Sequence, residues 1–372
     1  MFAIKRELKL NNKEKTLMAK HSGFSRWVYN YGLSLMTQLD HKTYKGSSSK
    51  KISLIKKILT NYTKKQPEYA WTNELSSRVY QNALADLTDS YNRYFKGQTE
   101  RPVFKSKKNK QSFTVDSSNG KVVLESGNKI KIPTLGTFKL KEALDCKYVT
   151  QTFTISKQAD KWYVSFTVDA ERIPPLFHEG VEPVGIDLGV KCFATLSDGS
   201  TYEAPKPYKT AKTKLAKLQY RNRNKQLGNR KKGIKNSNNA AKYYKKLAKQ
   251  HATISNKRSD FLHKTTTEIS KKFKEIHIED LNIKGMIANH KLSAAISDLG
   301  FYEFRRMLEY KSEFYSTDVV LVNRWFPSSK TCSNCGCIKT DLKLKDRVFN
   351  CVDCGFSLDR DLNAAINLSR YS

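Results

Sequence analysis

Acidic side chains are absent from a long stretch of this sequence: the 56 residues from Ala204 to Ser259 hold 18 Lys or Arg and no Asp or Glu. A like-charge run is ordinarily a solvated face or a tail, but Leu215, Leu218, Tyr243, Leu247 and Ile254 recur within it at helical spacing. The stretch therefore predicts a basic helical pair over 206–258, broken at Gly228-Asn-Arg-Lys-Lys-Gly233 and suited to a phosphate backbone. Long apolar runs are missing too, and none approaches the roughly 20 residues of a membrane-spanning helix. Met1-Phe-Ala-Ile-Lys-Arg-Glu7 lacks the basic-then-apolar grading of a secretory signal. Seven cysteines, an odd number, with Cys146 and Cys192 standing alone, argue against a disulfide framework. The expectation is a cytoplasmic protein with no membrane partner.

What the chain has in excess is positive charge. Lys and Arg number 68 against 35 Asp and Glu, a formal net charge of +33. A surplus that large repels itself in a compact fold and makes sense when a polyanion neutralises it. The 38% hydrophobic and 11% aromatic content excludes a disordered chain, and 372 residues suffice for two or three domains.

In chain order, Phe2 to Leu10 alternates as a strand, and Asn12, followed by Glu14, reads as the N-cap of a helix carrying Phe24, Trp27, Val28, Tyr31, Leu33 and Met36. Further helices are predicted at Ile52 to Tyr62 and Thr72 to Phe95. The second of these shows Arg78, Gln81, Asn82 and Asn92 on its polar face, which is either an ordinary solvated face or a set of side chains for base edges. After the basic segment Arg101 to Lys110, the period becomes two. Short strands separated by Gly120, Gly127 and Gly136 lead into a hairpin, Val149 to Ser156 and Trp162 to Val168, turning at Gln158-Ala-Asp160. These strands suggest a small barrel to which the first strand belongs, and Arg172 to Val184, with three prolines, reads as a domain boundary.

Two constellations carry chemistry. In Val184-Gly-Ile-Asp-Leu-Gly189 a single acid, Asp187, interrupts a buried strand, which is costly unless the acid is paired or holds a metal. Gly185 and Gly189 flank it, giving room for a large group, and Gly199 reads as the turn of the hairpin that follows with Phe193 to Leu196. A third strand near Thr201 to Ala204, the basic helices, a strand Glu275 to Asn282 bearing Glu279, a helix Phe301 to Tyr315 and a strand Asp318 to Asn323 complete the order of an RNase H-like α/β domain. His277 reads as packing rather than catalytic. The other constellation is Cys332-Ser-Asn-Cys335, 15 intervening residues, and Cys351-Val-Asp-Cys354. Four thiolates at that spacing close a tetrahedral shell around one structural zinc, and Cys337 is left spare. Next, Leu358-Asp-Arg-Asp-Leu-Asn-Ala-Ala-Ile-Asn-Leu368 predicts a closely packed helix with Asp361 in its first turn, where the helix dipole favours a carboxylate. Asp187, Glu279 and Asp361 together have the character of a site for two divalent cations.

Gly-Ile-Asp-Leu-Gly-Val-Lys, Ile-Glu-Asp-Leu-Asn, Pro327-Ser-Ser-Lys-Thr-Cys-Ser-Asn-Cys-Gly and Asp-Arg-Asp-Leu-Asn-Ala-Ala-Ile-Asn together closely resemble the TnpB family, transposon-encoded proteins related to the type V CRISPR effectors. The resemblance is sharpest over 181–370. It implies a multidomain α+β protein, an RNA-guided DNA endonuclease that takes its guide RNA from the transposon end. Double-stranded target DNA is cut beside a short transposon-adjacent motif by a RuvC-like nuclease. The implied layout is a first wedge-like β-barrel strand at 1–10, a helical recognition domain at 11–100 and the rest of the barrel at 101–180. A RuvC-like domain follows at 181–326, then an inserted zinc ribbon at 327–357 and a final RuvC-like segment at 358–372. Carried over by position, the catalytic, magnesium-binding acids are Asp187, Glu279 and Asp361, with Asp359 the runner-up for the third. Cys332, Cys335, Cys351 and Cys354 take the zinc. Candidates for reading the adjacent motif are Arg78, Gln81, Asn82, Gln111, Ser112 and Thr114. A monomer acting on the prokaryotic nucleoid is expected. An RNA-guided regulator that does not cut would need a damaged triad; a transposase using the same acids, or a plain RNA-binding zinc-ribbon protein, fits the motifs less well.

Overall fold

The computed structural model describes residues 2–41, 47–107, 110–168, 182–226, 228, 233–235, 237–343 and 346–371. The chain divides into two compact units, Met1–Ala170 and Glu171–Ser372. Residues 172–181 of the proline-containing boundary, and the interior of the Gly228–Gly233 break, lie outside the described residues.

In the first unit, β1 (Phe2–Lys9) leads into α1 (Asn12–His41). The cap falls one residue earlier than the sequence suggests: Asn11 Oδ1 accepts from the Glu14 amide at 2.9 Å while Glu14 Oε2 accepts from the Asn11 amide at 2.7 Å. This reciprocal pair satisfies two otherwise orphaned donors. α2 (Ser48–Asn61) and α3 (Ser77–Phe95) follow, separated by two 3-10 turns. Thr72 to Glu74 therefore stands outside α3, which begins after Ser76, whose hydroxyl accepts from the Arg78 amide.

The strands β2 (Ser112–Asp116), β3 (Val122–Leu124), β4 (Gly127–Ile132), β5 (Gly136–Leu144), β6 (Tyr148–Thr150), β7 (Thr152–Gln158) and β8 (Lys161–Val168) complete this unit. Six form one sheet in the order β2-β7-β8-β1-β5-β4, and β3 pairs with β6. The small barrel of the sequence reading is thus a curled half-barrel with β2 and β4 at its edges. The strand foreseen from Val149 is split, because Tyr148–Thr150 pairs with β3 and only from Thr152 does the chain join the large sheet. Alternate side chains such as Phe113, Val115, Phe153, Ile155, Val164 and Phe166 share one core with Phe24, Val28, Leu84 and Leu87 of the helices.

In the second unit, β9 (Val184–Leu188), β10 (Ala194–Leu196) and β11 (Thr201–Tyr202) run antiparallel. Gly199, in the left-handed conformation, turns β10 into β11, whereas the β9–β10 turn is closed by a hydrogen bond from the Gly189 amide to the Phe193 carbonyl. The basic helices α4 (Pro207–Arg221) and α5 (Asn238–Lys272) lead to β12 (Glu275–Glu279). Then come α6 (Ile283–Ala288), α7 (Ser293–Leu299), α8 (Phe301–Tyr315) and β13 (Asp318–Val322). The short pair β14 (Val348–Asn350) and β15 (Ser357–Asp359) precedes α9 (Arg360–Ser369). The sheet order is β11-β10-β9-β12-β13, with β9, β12 and β13 parallel. Val184, Ile186, Ile276 and Ile278 fill the buried interior expected of central parallel strands.

Candidate active site and metal centre

β9 and β12 are neighbours in parallel register, Ile186 beside Ile278, so Asp187 and Glu279 leave the sheet at the same end. Asp361 comes to them on α9, whose first turn begins directly after β15. Burial, then the nearby charges of Asp361 and Glu279, push the Asp187 carboxyl from 3.8 up to about 7, against a smaller opposing effect of Arg360. Burial and the adjacent Asp280 raise Glu279 in the same direction. Carboxylate oxygens are the hard donors that magnesium-type cations prefer, but among the described His, Cys, Asp and Glu residues only Cys332, Cys335, Cys351 and Cys354 form a group of three or more whose ligand atoms lie within 4.8 Å of one another.

Asp359 is used differently. Its Oδ1 accepts from the amides of Asp361 at 2.9 Å and Leu362 at 3.1 Å, so it is the N-cap of α9. Asp361 is left free of that task and meets two arginines that sequence reasoning missed, Arg360 at 3.2 Å and Arg347 at 3.8 Å. His277 is buried and its Nε2 lies 2.6 Å from Glu275 Oε1, an internal tie consistent with packing.

The glycine before Asp187 has a role other than making room for a ligand. A β-carbon at Gly185 would lie 1.9 Å from the Ala365 carbonyl oxygen and 2.5 Å from the Ser369 amide nitrogen, so α9 rests directly on the β9 backbone.

The sulfurs of Cys332, Cys335, Cys351 and Cys354 all lie within 4.8 Å of one another, a cluster compatible with a structural zinc. Gly336 and Gly355, both left-handed (φ 79° and 70°), turn the two knuckles. The Phe356 amide, followed by the Asn334 side chain, lowers the Cys354 thiol to about 6, the direction that favours a thiolate ligand. Cys337 is not part of the cluster, and a hydrogen bond to Asp353 pushes its thiol up to about 11. Two buried asparagines tie this cluster to α9. Asn363 Nδ2 donates to the Thr331 carbonyl at 2.7 Å while its Oδ1 accepts from the Ser333 amide at 3.0 Å. Asn367 donates to the carbonyls of Thr331 and Ser328 at 2.6 and 2.8 Å. Their i, i+4 spacing on a helix face that also buries Ala364 and Leu368 is the signal that identifies them.

In the first unit, two of the nucleic-acid candidates, Arg78 and Asn82, meet at Asp116, a residue that no sequence motif marks. Asn82 Nδ2 donates to its Oδ1 at 2.6 Å and Arg78 Nη1 lies 3.4 Å from its Oδ2. Gln81 Oε1 accepts from Arg78 Nη1 at 3.5 Å. Ser112 and Thr114 share the half-buried face of β2 with Asp116, and Thr114 Oγ1 is 3.3 Å from Thr154 Oγ1. Gln111 contacts the Lys107 carbonyl at 3.5 Å.

Three family models match parts of the chain: "Cas12f1-like, TNB domain" over 301–368, "Probable transposase" over 165–290 and "Helix-turn-helix domain" over 1–42. A Streptomyces pristinaespiralis protein named "Putative RNA-guided DNA endonuclease" is 32% identical over 362 residues, 94% of this chain and 84% of its own. The chain belongs to the TnpB family. Another relative, "Putative RNA-guided DNA endonuclease InsQ" of Escherichia coli K12, is 29% identical over 381 residues, covering 98% of this chain and 91% of its own. A "TnpB-like protein L79" of Acanthamoeba polyphaga mimivirus is 40% identical over 119 residues, 30% of this chain and 22% of its own. Among solved structures, that of a Cas12f1–sgRNA–target DNA complex superposes with a TM-score of 0.57 at 15% identity, covering 97% of this chain and 83% of that one. The TnpB-family chain therefore has the mixed α/β fold of that effector. Among its described residues no helix is long and apolar enough to cross a membrane.

Proposed function

We propose that the chain is an RNA-guided DNA endonuclease of an insertion sequence. It binds a guide RNA derived from the transposon end and cleaves double-stranded DNA beside a short transposon-adjacent motif. The observation that carries this reading is the gathering of Asp187, Glu279 and Asp361 at one end of a basic protein's central sheet. The names of its relatives and the fold of the Cas12f1 complex support the same kind of activity.

Asp187, Glu279 and Asp361 would hold two magnesium ions. When bound, these supply the charge that lets a water attack a phosphodiester and its leaving oxygen depart. The chain's own contribution is positional. Burial makes the Asp187 anion unfavourable without a cation, and the Asp359 cap orients the turn that carries Asp361. α4 and α5, with their run of lysines and arginines, hold the guide's backbone. Arg78, Gln81, Asn82, Gln111, Ser112 and Thr114 read the adjacent motif, with Asp116 keeping Arg78 and Asn82 in position until bases replace it. The four cysteines would hold one structural zinc. On this reading, residues 181–326 and 358–372 are the RuvC-like nuclease, 327–357 the zinc ribbon, 11–100 the recognition part, and 1–10 with 101–180 the wedge. The working form is a monomer acting on the nucleoid in the cytoplasm.

The test is to purify the protein with its transposon-end RNA and assay magnesium-dependent cutting of a matched target. Equal cutting by Asp187→Ala overturns the assignment. RNA that copurifies without a transposon-end sequence favours a transposase instead.

A further inference from the structure

Among the large apolar side chains of the described residues, Trp325 has the greatest exposure, at 85%. An indole left in water at that level forgoes burial that most tryptophans obtain. Its backbone is nonetheless fixed. The Trp325 amide donates to Asn323 Oδ1 at 2.9 Å, the Phe326 amide donates to the Asn323 carbonyl at 2.9 Å, and the Phe326 ring packs edge-on against Tyr371 at 5.2 Å. The ring is thus held out by an anchored turn.

The turn's position is informative. Val322, the last residue of β13, is the parallel partner of Glu279, and its carbonyl accepts from the Asp280 amide at 3.0 Å. Trp325 follows three residues later, so its Cα lies within about 16 Å of that of Glu279, one strand spacing plus three extended residues. The ring borders a cavity of about 440 Å³ lined also by Asp280, Arg305, Leu321, Asn323, Arg324 and Tyr371. Here Asp280 binds Arg305 at 2.6 Å and also Arg324, and Arg305 binds Glu309 at 2.8 Å. The two acids balance the two arginines, so this corner adds flat surfaces, two guanidinium planes and an indole, rather than net charge.

We propose that Trp325 is a stacking platform for a base of single-stranded nucleic acid passing the acid triad, with Arg324 and Arg305 bordering its path. This rests on the reading of Asp187, Glu279 and Asp361 as the cutting centre. The occupant is a nucleic acid because the whole chain carries +33 while this patch is neutral and aromatic. Long-range attraction comes from elsewhere and the patch supplies the π surface. It is single-stranded because bases inside a duplex offer no free face for stacking.

The test uses the guide-loaded full chain carrying Asp187→Ala, so that no strand is cut, and a short homothymidine DNA as probe. Emission from Trp325 is taken as the difference between this chain and one also carrying Trp325→Phe. The strand should quench that emission, and Trp325→Ala should weaken its binding about tenfold while Trp325→Phe largely restores it. With the triad intact, Trp325→Ala should raise KM for a single-stranded substrate and leave kcat nearly unchanged. Because the ring is exposed, its loss leaves no core cavity, and an unchanged unfolding midpoint verifies this. Unquenched Trp325 emission, equal quenching by a duplex of the same length, or undiminished binding by Trp325→Ala overturns the proposal. Quenching in the Asp187→Ala chain together with no cutting by the chain that keeps Asp187 refutes the nuclease reading alone; cutting by the latter without quenching in the former refutes the platform alone.

Discussion

Gly185 and Ala365 are in backbone contact: a β-carbon on the first would sit 1.9 Å from the carbonyl oxygen of the second. The strand that carries Asp187 and the helix that carries Asp361 therefore share one fixed spacing. Gly185→Ala must drive α9 off the sheet, since the obstructing atoms are backbone and cannot rotate away. The expected cost is about 3 kcal/mol, at the upper end for overpacking. Thermal unfolding should fall by several degrees, and cleavage of a guided target should drop at least about tenfold.

Asp187→Asn keeps the shape and removes the charge. Cleavage should fall about a thousandfold, equivalent to ~4 kcal/mol of transition-state stabilisation, while guide RNA binding, measured by filter retention, stays unchanged.

The same residue sets a pH dependence in the metal-free protein. Its carboxyl is raised from 3.8 to about 7, so the native chain binds more protons than the unfolded chain between those values. Stability must then decline as pH rises from about 4 to about 7, and the full penalty is present above about 7. Glu279 adds to the decline in the same direction. Urea unfolding in EDTA at about pH 5 and about pH 8 should show the loss, and Asp187→Asn should reduce it.

Asp359 and Asp361 are separable by substitution. Asp359→Asn keeps an N-cap acceptor and should cut nearly as the parent does, whereas Asp359→Ala loses about 1 kcal/mol of helix stability. Asp361→Asn should abolish cutting with little change in the unfolding midpoint. Single-turnover rates of the three variants check the assignment.

Removing the zinc should disable cutting from a distance. Cys351→Ser should lower bound zinc from about one per chain and reduce cleavage while RNA binding persists. Asn363→Ala should retain the zinc, yet lose about 1–3 kcal/mol by leaving the Ser333 amide and the Thr331 carbonyl poorly satisfied. Metal analysis alongside cleavage rates separates the two effects.

Periodicity and spacing made much of this chain legible. The helix Phe301–Tyr315 matches its apolar repeat residue for residue, and the four cysteines that cluster are the two Cys-x-x-Cys pairs. What stayed hidden depended on partners distant in sequence. Gly185 reads as room for a ligand until α9 is seen lying on it, whereas the Asp359 cap is local, its donors being the amides of Asp361 and Leu362. That the sheet stays open between β2 and β4 was not legible either, since neither strand's alternation encodes which edge it pairs with. Asp116 went unnoticed since a lone acid on a short strand has no motif around it, and its partners Arg78 and Asn82 come from α3.

The parallel pairing of β9 with β12 has a topological consequence. α4 and α5 are built from near neighbours in the chain, and such local structure forms early. Asp187 and Glu279 meet only after the chain has closed over both helices, and Asp361 joins only when α9 docks on Gly185. The acid end of the sheet is therefore the non-local part of this unit, set by long-range closure, whereas the basic helices are set by near neighbours in the chain.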